Sequence, residues 1–258
     1  MDLGIAGKRA IVFGGQTPLS QACAKALRAE GVAVLVVSPL PVEESDLCCH
    51  GSKLPGSIEI LVADSTREEA LALVANRCPE PDILINHATG LPPGDFRRLS
   101  HSDWLESANS IMLPGILAST RFYDGMVDRG FGRIINITSQ CVKAPMDNMD
   151  TSNAGRLGLT GFAAGLARYK RASDVTVNSV LPGLFDTPSL RSHLSRMALD
   201  NQCTEEDAMA QLVQGNPLGR VGDPAELAQV CTFLCGTSSG FINGQNILVD
   251  GGAFRGVM

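Results

Sequence analysis

The chain lacks the marks of several large protein classes. No apolar run in its 258 residues approaches the roughly 20 that span a bilayer. The start, MDLGIAGKRAIVFGG, has no basic segment followed by an apolar core of the secretory type. No membrane partner is expected, and a cytoplasmic location is. Charge of one sign forms no long run: 21 basic and 27 acidic residues are interspersed and leave a formal charge of −6, which gives nucleic acid little to bind. The 8 cysteines (Cys23, Cys48, Cys49, Cys78, Cys141, Cys203, Cys231, Cys235) contain no C-x-x-C pair, the spacing that zinc sites and redox dithiols use. Cys231 and Cys235 stand four apart inside LAQVCTFLC with no histidine nearby, and read as buried thiols. No metal site is expected. No Pro/Ser-rich linker divides the chain, so residues 1–258 are expected to form a single domain with a large core. Tyrosine is scarce as well, with only Tyr123 and Tyr169.

What is present is alternation. Seven short β-branched runs, RAIVFGG, VAVLVVS, IEILVAD, DILINHA, GRIINITS, VTVNSVLPG and NILVDGG, are apolar on both faces, as strands covered on two sides must be. Between them, helical periodicity predicts helices at Leu19–Glu30, Arg67–Arg77, Ser102–Arg129, Ser152–Arg171 and Pro224–Cys235, the last with Asp223 as N-cap and Pro224 at the first position. Strand and helix alternating at this length predict an α/β fold: a doubly wound, Rossmann-like, parallel seven-stranded sheet with helices on both faces. A ligand is then expected beyond the carboxyl ends of the strands.

Five ordered segments, KRAIVFGG, DILINHATG, GRIINITS, TVNSVLPGLFDT and PLGRVGDPAELAQVCTFLCGTSSGFINGQNILVDGG, resemble the short-chain dehydrogenase/reductase family from end to end. The resemblance implies an oxidoreductase that uses NAD or NADP, with a substrate lid over residues 184–217. It also implies residues that this chain has changed. The family's G-x-x-x-G-x-G turn falls on Gly14, Pro18 and Ser20. Pro18 has no N–H for a phosphate and Ser20 fills space that the motif keeps empty; Thr17 as N-cap with Pro18 at N1 also makes a sound helix start with no ligand. At the end of the second strand, where an acid holds the ribose of NAD or an arginine the 2′-phosphate of NADP, stand Ser38 and Pro39. Asp64 matches the family's adenine-contacting acid and equally suits a helix cap. Asn86 matches the first residue of an N-N-A-G segment from which His87 and Thr89 depart; His87 reads as a packed side chain or as a solitary base. Thr187 matches the residue that meets the nicotinamide amide. No bound cofactor is expected in this chain, and NAD or NADP only if it is active.

By the same resemblance the catalytic set is Asn109, Ser139, Ser152 and Arg156, the last two where the family carries tyrosine and lysine. An aliphatic hydroxyl is far too weak a general acid, and a guanidinium keeps its proton above pH 12. Neither tyrosine can stand in, since Tyr169 lies 17 residues beyond Ser152, about 25 Å along a helix. The same predicted helix carries Gly155, Gly158, Gly161 and Gly165, which at roughly 0.5–1 kcal/mol each oppose it. They form one stripe facing either the chain's own sheet or a second subunit. Three functions follow. The first is a non-catalytic subunit that pairs with an active, related chain in a heteromeric dehydrogenase, as in the resemblance to the inactive partner of hydroxybenzylsuccinyl-CoA dehydrogenase; a homo-oligomer is the other assembly. The second is an active NAD(P)-dependent oxidoreductase with another proton source, Ser139 through water or His87. The third is cofactor-free lyase chemistry like that of halohydrin dehalogenases, which share the spoiled turn and an arginine at the place of Arg156 but keep a tyrosine where Ser152 stands.

Overall fold

The structure is a computed structural model that describes residues 2–43, 47, 56–169 and 173–257. Seven parallel strands make one sheet in the order β3-β2-β1-β4-β5-β6-β7: β1 Arg9–Phe13, β2 Ala33–Ser38, β3 Ser57–Val62, β4 Ile83–His87, β5 Phe131–Ile137, β6 Asp174–Pro182 and β7 Asn246–Val249. All seven predicted strands are present. The strand order turns back between β1 and β4, where β1 is paired in parallel with both β2 and β4; in open α/β sheets a crevice forms at that point.

Helices cover both faces. On one, α1 (Pro18–Ala29) and α8 (Pro224–Cys235) bury Leu19, Cys23, Leu27, Leu227 and Cys231 against Val12, Val36, Ile85 and Ile137. On the other, α2 (Glu68–Arg77), α4 (Leu113–Asp128) and α5 (Asp150–Ala167) bury Val74, Phe122, Met126 and Ala163 against Ile11, Leu35, Leu84 and Ile134. Alternate strand residues thus serve opposite cores. A smaller apolar cluster joins α6 (Pro188–Asn201) to α7 (Glu205–Val213) through Leu194, Ala198 and Ala208. Among the described residues no helix is long and apolar enough to cross a membrane, and no group of three or more metal-ligating side chains is assembled. Cys23, Cys78, Cys141, Cys203, Cys231 and Cys235 are free thiols, all buried except the half-buried Cys203; Cys48 and Cys49 lie outside the described residues.

Two helix expectations need correction. The span predicted as one helix at Ser102–Arg129 is α3 (His101–Ser107), a π turn at Ala108–Met112, and then α4. Pro114 in the first turn of α4 has no N–H to continue a regular ladder, and the π turn absorbs the break. The helix placed at Ser152–Arg171 begins two residues earlier, at Asp150, and ends at Ala167; its predicted end at Arg171 falls outside the described residues. The glycine stripe divides. A side chain at Gly155 would meet Ile111 at 3.0 Å and one at Gly158 would meet Met112 at 2.4 Å, so these two let α5 close on the π turn and not on the sheet. A side chain at Gly161 or Gly165 would meet nothing within 4 Å among the described residues.

Candidate functional site

At the carboxyl edge of the sheet the altered residues gather into two adjoining clusters. The first is the β1–α1 turn. Gly14 has φ +77°, and a side chain there would strike the His87 carbonyl oxygen at 2.5 Å, which is why glycine is kept. Thr17 caps α1 by accepting from the Ser20 N–H at 3.3 Å, with Pro18 at the helix start. Ser20 is fully buried. Its hydroxyl donates to Phe13 O at 3.0 Å and lies 3.0 Å from His87 Nδ1, and Thr17 Oγ1 lies 2.9 Å from the same nitrogen. Burial first, and then the nearby Arg156 guanidinium, push the His87 pKa down to about 3. His87 is therefore neutral at physiological pH and far too weak a base for general-base work, which removes it as a solitary catalytic base.

The second cluster is Ser152 and Arg156, one helical turn apart on α5. Arg156 is 9% exposed and donates from Nε to Ser152 Oγ (3.0 Å) and through its two terminal nitrogens to Thr138 O (2.7 Å) and Ala88 O (3.3 Å). It thereby ties α5 to the ends of β4 and β5. Among the described residues no carboxylate pairs with it, and burial lowers its pKa from the ordinary arginine value. Ser152 is 3% exposed, and Gly90 backs it closely enough that a side chain there would touch Ser152 Oγ at 3.5 Å. A small closed space beside this cluster, of about one water's size, is lined by Asn86, His87, Ile111, Gly115, Thr138 and Arg156 among others. Asn86 Nδ2 donates to Asn136 Oδ1 at 2.9 Å, while Asn86 Oδ1 and Thr138 Oγ1 are buried without partners.

The remaining site residues lie apart. Asn109 sits on the π turn and is exposed. It does not line the closed space, and the residues that reach it from this stretch are Ile111, Pro114 and Gly115. The π turn sets the helical phase of this stretch, and Asn109 stands on its exposed side. Ser139 is half-buried at the end of β5, where its hydroxyl accepts from the Cys141 N–H at 3.3 Å. Ser38 is buried and donates to Leu40 O at 2.6 Å. Asp64 is no helix cap: it accepts from Thr66 N–H and Oγ1–H at 3.0 and 2.7 Å, which lowers its pKa, and Arg67 holds the N-cap position of α2. Thr187 caps α6 by accepting from Leu190 N–H. The two tyrosines meet edge to face with ring centroids 6.4 Å apart; neither lines the closed space. The roles of Gly90, Ile111 and the carbonyls of Ala88 and Thr138 went unread in the sequence; only the glycine in HATG hinted at a close approach.

Residues 16–253 match a family model described as enoyl-(acyl carrier protein) reductase. Over 252 residues the chain is 30% identical to the acetoacetyl-CoA reductase of Shinella zoogloeoides, covering 95% of this chain and 98% of that one. It is 26% identical to YvaG of Bacillus subtilis, described as an uncharacterized oxidoreductase, over the full length of both. Among solved structures, YwfH, an NADPH-dependent reductase involved in bacilysin biosynthesis, superposes with a TM-score of 0.88 at 26% identity, covering 97% of this chain and 99% of that one. With these matches, the chain belongs to the short-chain dehydrogenase/reductase family.

The family's nicotinamide dinucleotide can be tested against the residues present. One of three turn glycines remains, Pro18 offers no donor, the buried Ser20 hydroxyl takes the room of the third glycine, and Ser38 spends its hydroxyl on its own turn. These residues do not fit the diphosphate and ribose of NAD(P) in the family's manner.

Proposed function

We propose that this chain is a non-catalytic subunit of an NAD(P)-dependent oxidoreductase assembled from short-chain dehydrogenase/reductase chains, in which a related chain that keeps the tyrosine and lysine performs the proton transfer. One observation carries it: where the family places its acid and its amine, Ser152 and Arg156 are bonded to each other and to backbone carbonyls. At the places of the acid and the amine the site holds an aliphatic hydroxyl and a permanent cation, neither of which gives up a proton near neutral pH. The reductases among the relatives make acyl-CoA or other carbonyl and alcohol substrates the class for the assembled enzyme. The inactive partner of a hydroxyacyl-CoA dehydrogenase, such as hydroxybenzylsuccinyl-CoA dehydrogenase, is one model for this role.

A face for the partner is available. The outer side of α4 and α5 offers the open Gly161 and Gly165 beside Leu117 (47% exposed) and Leu157 (43% exposed), a smooth apolar stripe that lets another helix pair approach closely. The segment 184–217, with α6 and α7, is the lid over the substrate side. Affinity purification from the source cells followed by mass spectrometry tests the pairing. The expected result is a second family chain with tyrosine and lysine intact, at equal stoichiometry, and carbonyl reduction by the reconstituted pair; an active homomer of this chain would overturn it.

A second reading, favoured by the reductases that match the chain over nearly its whole length, is an active oxidoreductase in which a water beside Ser139 delivers the proton. The cofactor-free lyase reading has no such support, since it needs a tyrosine that the site lacks.

A further inference from the structure

A turn that cradles a diphosphate needs backbone donors to spare. From Gly15 to Ser20 three of the five backbone N–H groups are spent. Gly15 N–H donates to Val37 O at 3.0 Å, Thr17 N–H to Gly14 O at 2.9 Å and Ser20 N–H to Thr17 Oγ1 at 3.3 Å, and Pro18 has none. Gln16 and Leu19 keep the only N–H groups in the turn without a partner among the described residues. The side chains are equally committed. Ser20 Oγ donates to Phe13 O (3.0 Å) and Thr17 Oγ1 to Gly14 O (2.9 Å). Thr17 Oγ1 also lies 3.1 Å from Ser20 Oγ. When both hydroxyl protons go to the two carbonyls, the contacts to His87 Nδ1, 2.9 Å from Thr17 and 3.0 Å from Ser20, place the ring proton on Nδ1. In that arrangement His87 is the donor that completes the set.

We propose that Thr17, Ser20 and His87 form one coupled polar knot that takes the place of a dinucleotide diphosphate and shuts the turn to NAD and NADP alike, with Ser20 in the first turn of α1 and His87 at the end of β4 as the pair that sets the exclusion. The two departures from the family pattern, serine for glycine at the start of α1 and histidine for asparagine at the end of β4, are then one change. This deepens the proposed function but stands apart from it, because a chain can bind a dinucleotide and still lack a proton donor.

Calorimetric titration with NADPH and with NADH tests it on the purified chain and on the triple variant Pro18→Gly, Ser20→Gly, His87→Asn. The wild-type chain is expected to give flat titrations, and the folded triple variant saturable binding, tightened at least about tenfold, or about 1.4 kcal/mol. Micromolar binding by the wild type, or a folded triple variant that stays flat, overturns the inference. If the triple variant does not fold, ¹⁵N chemical shifts of His87 in the wild type decide: a neutral ring with the proton on Nδ1 through pH 5 supports the knot, and a proton on Nε2 or titration near pH 6 overturns it. Wild-type binding without turnover sinks the knot alone, whereas unaided turnover sinks the proposed function.

Discussion

Two neighbouring helices start in the same way and have different histories. In α8, Asp223 caps by accepting from Ala225 N–H at 2.8 Å, Pro224 opens the helix, and Glu226 reaches back to the Asp223 N–H at 2.8 Å while Arg220 grips its carboxylate with two bonds of 2.7 Å. In α1, Thr17 caps, Pro18 opens the helix, and Ser20 reaches back to Phe13 O and His87. The helices lie side by side, with Cys23 of one and Cys231 of the other buried in the same core. The start of α8 is built for stability, as its exposed ion pair and box require. The start of α1 lies where the family binds a diphosphate, yet it is built on the same plan, with proline in place of a flexible glycine. A helix N-terminus attracts anions through its free donors. In α1 the Ser20 N–H is taken by Thr17 and the Gln16 and Leu19 N–H groups keep no partner among the described residues, so what separates this start from a site kept for ligand is the buried Ser20 hydroxyl and its contact with His87.

The comparison can be broken most strongly through pH. The His87 pKa is about 3 in the folded chain against an ordinary 6.5, so the unfolded chain binds the extra proton first. Stability that is full above about pH 6.5 is lost as pH falls toward 3, at up to about 1.4 kcal/mol per pH unit, on the order of 4 kcal/mol in all. His87→Asn should remove this slope in urea denaturation; an unchanged slope would mean that His87 is not held neutral. Glu226, in the α8 box, is drawn down to about 2 by Arg220 and the Asp223 N–H, but its side chain is exposed and the variant leaves it in place. Next in size are the caps themselves. Thr17→Ala removes the α1 cap together with the buried contacts to Gly14 O and His87, and should cost about 2 kcal/mol; Asp223→Ala removes an exposed cap and should cost about 1 kcal/mol. Equal losses in thermal denaturation would show that the α1 start carries no knot.

Most of the scaffold was legible beforehand, and the reason is burial. A strand covered on both faces must be continuously apolar, so all seven strands announced themselves, as did the Thr17-Pro18 and Asp223-Pro224 helix starts. The site was legible only as a list of departures. Resemblance placed Asn109 in the catalytic set, and the π turn on which it sits, with Ile111 facing the closed space, was not legible in a stretch that read as one continuous helix. Asp64 read as a helix cap because the Thr66 hydroxyl that captures it sits only two residues on. His87 read as a packed side chain or a solitary base, but its partners could not be read, since Thr17 and Ser20 are about 70 residues away and meet it only because β1 and β4 are adjacent in the sheet. The four glycines looked like one surface, yet two serve internal packing and two stay open.

The absence of a proton donor at Ser152 and Arg156 is tested most directly by mixing the purified chain at high concentration with NADPH and acetoacetyl-CoA and following nicotinamide oxidation. The rate is predicted to equal that of buffer, for wild type and Ser139→Ala alike. A wild-type rate clearly above buffer, abolished by Ser139→Ala, would contradict the account.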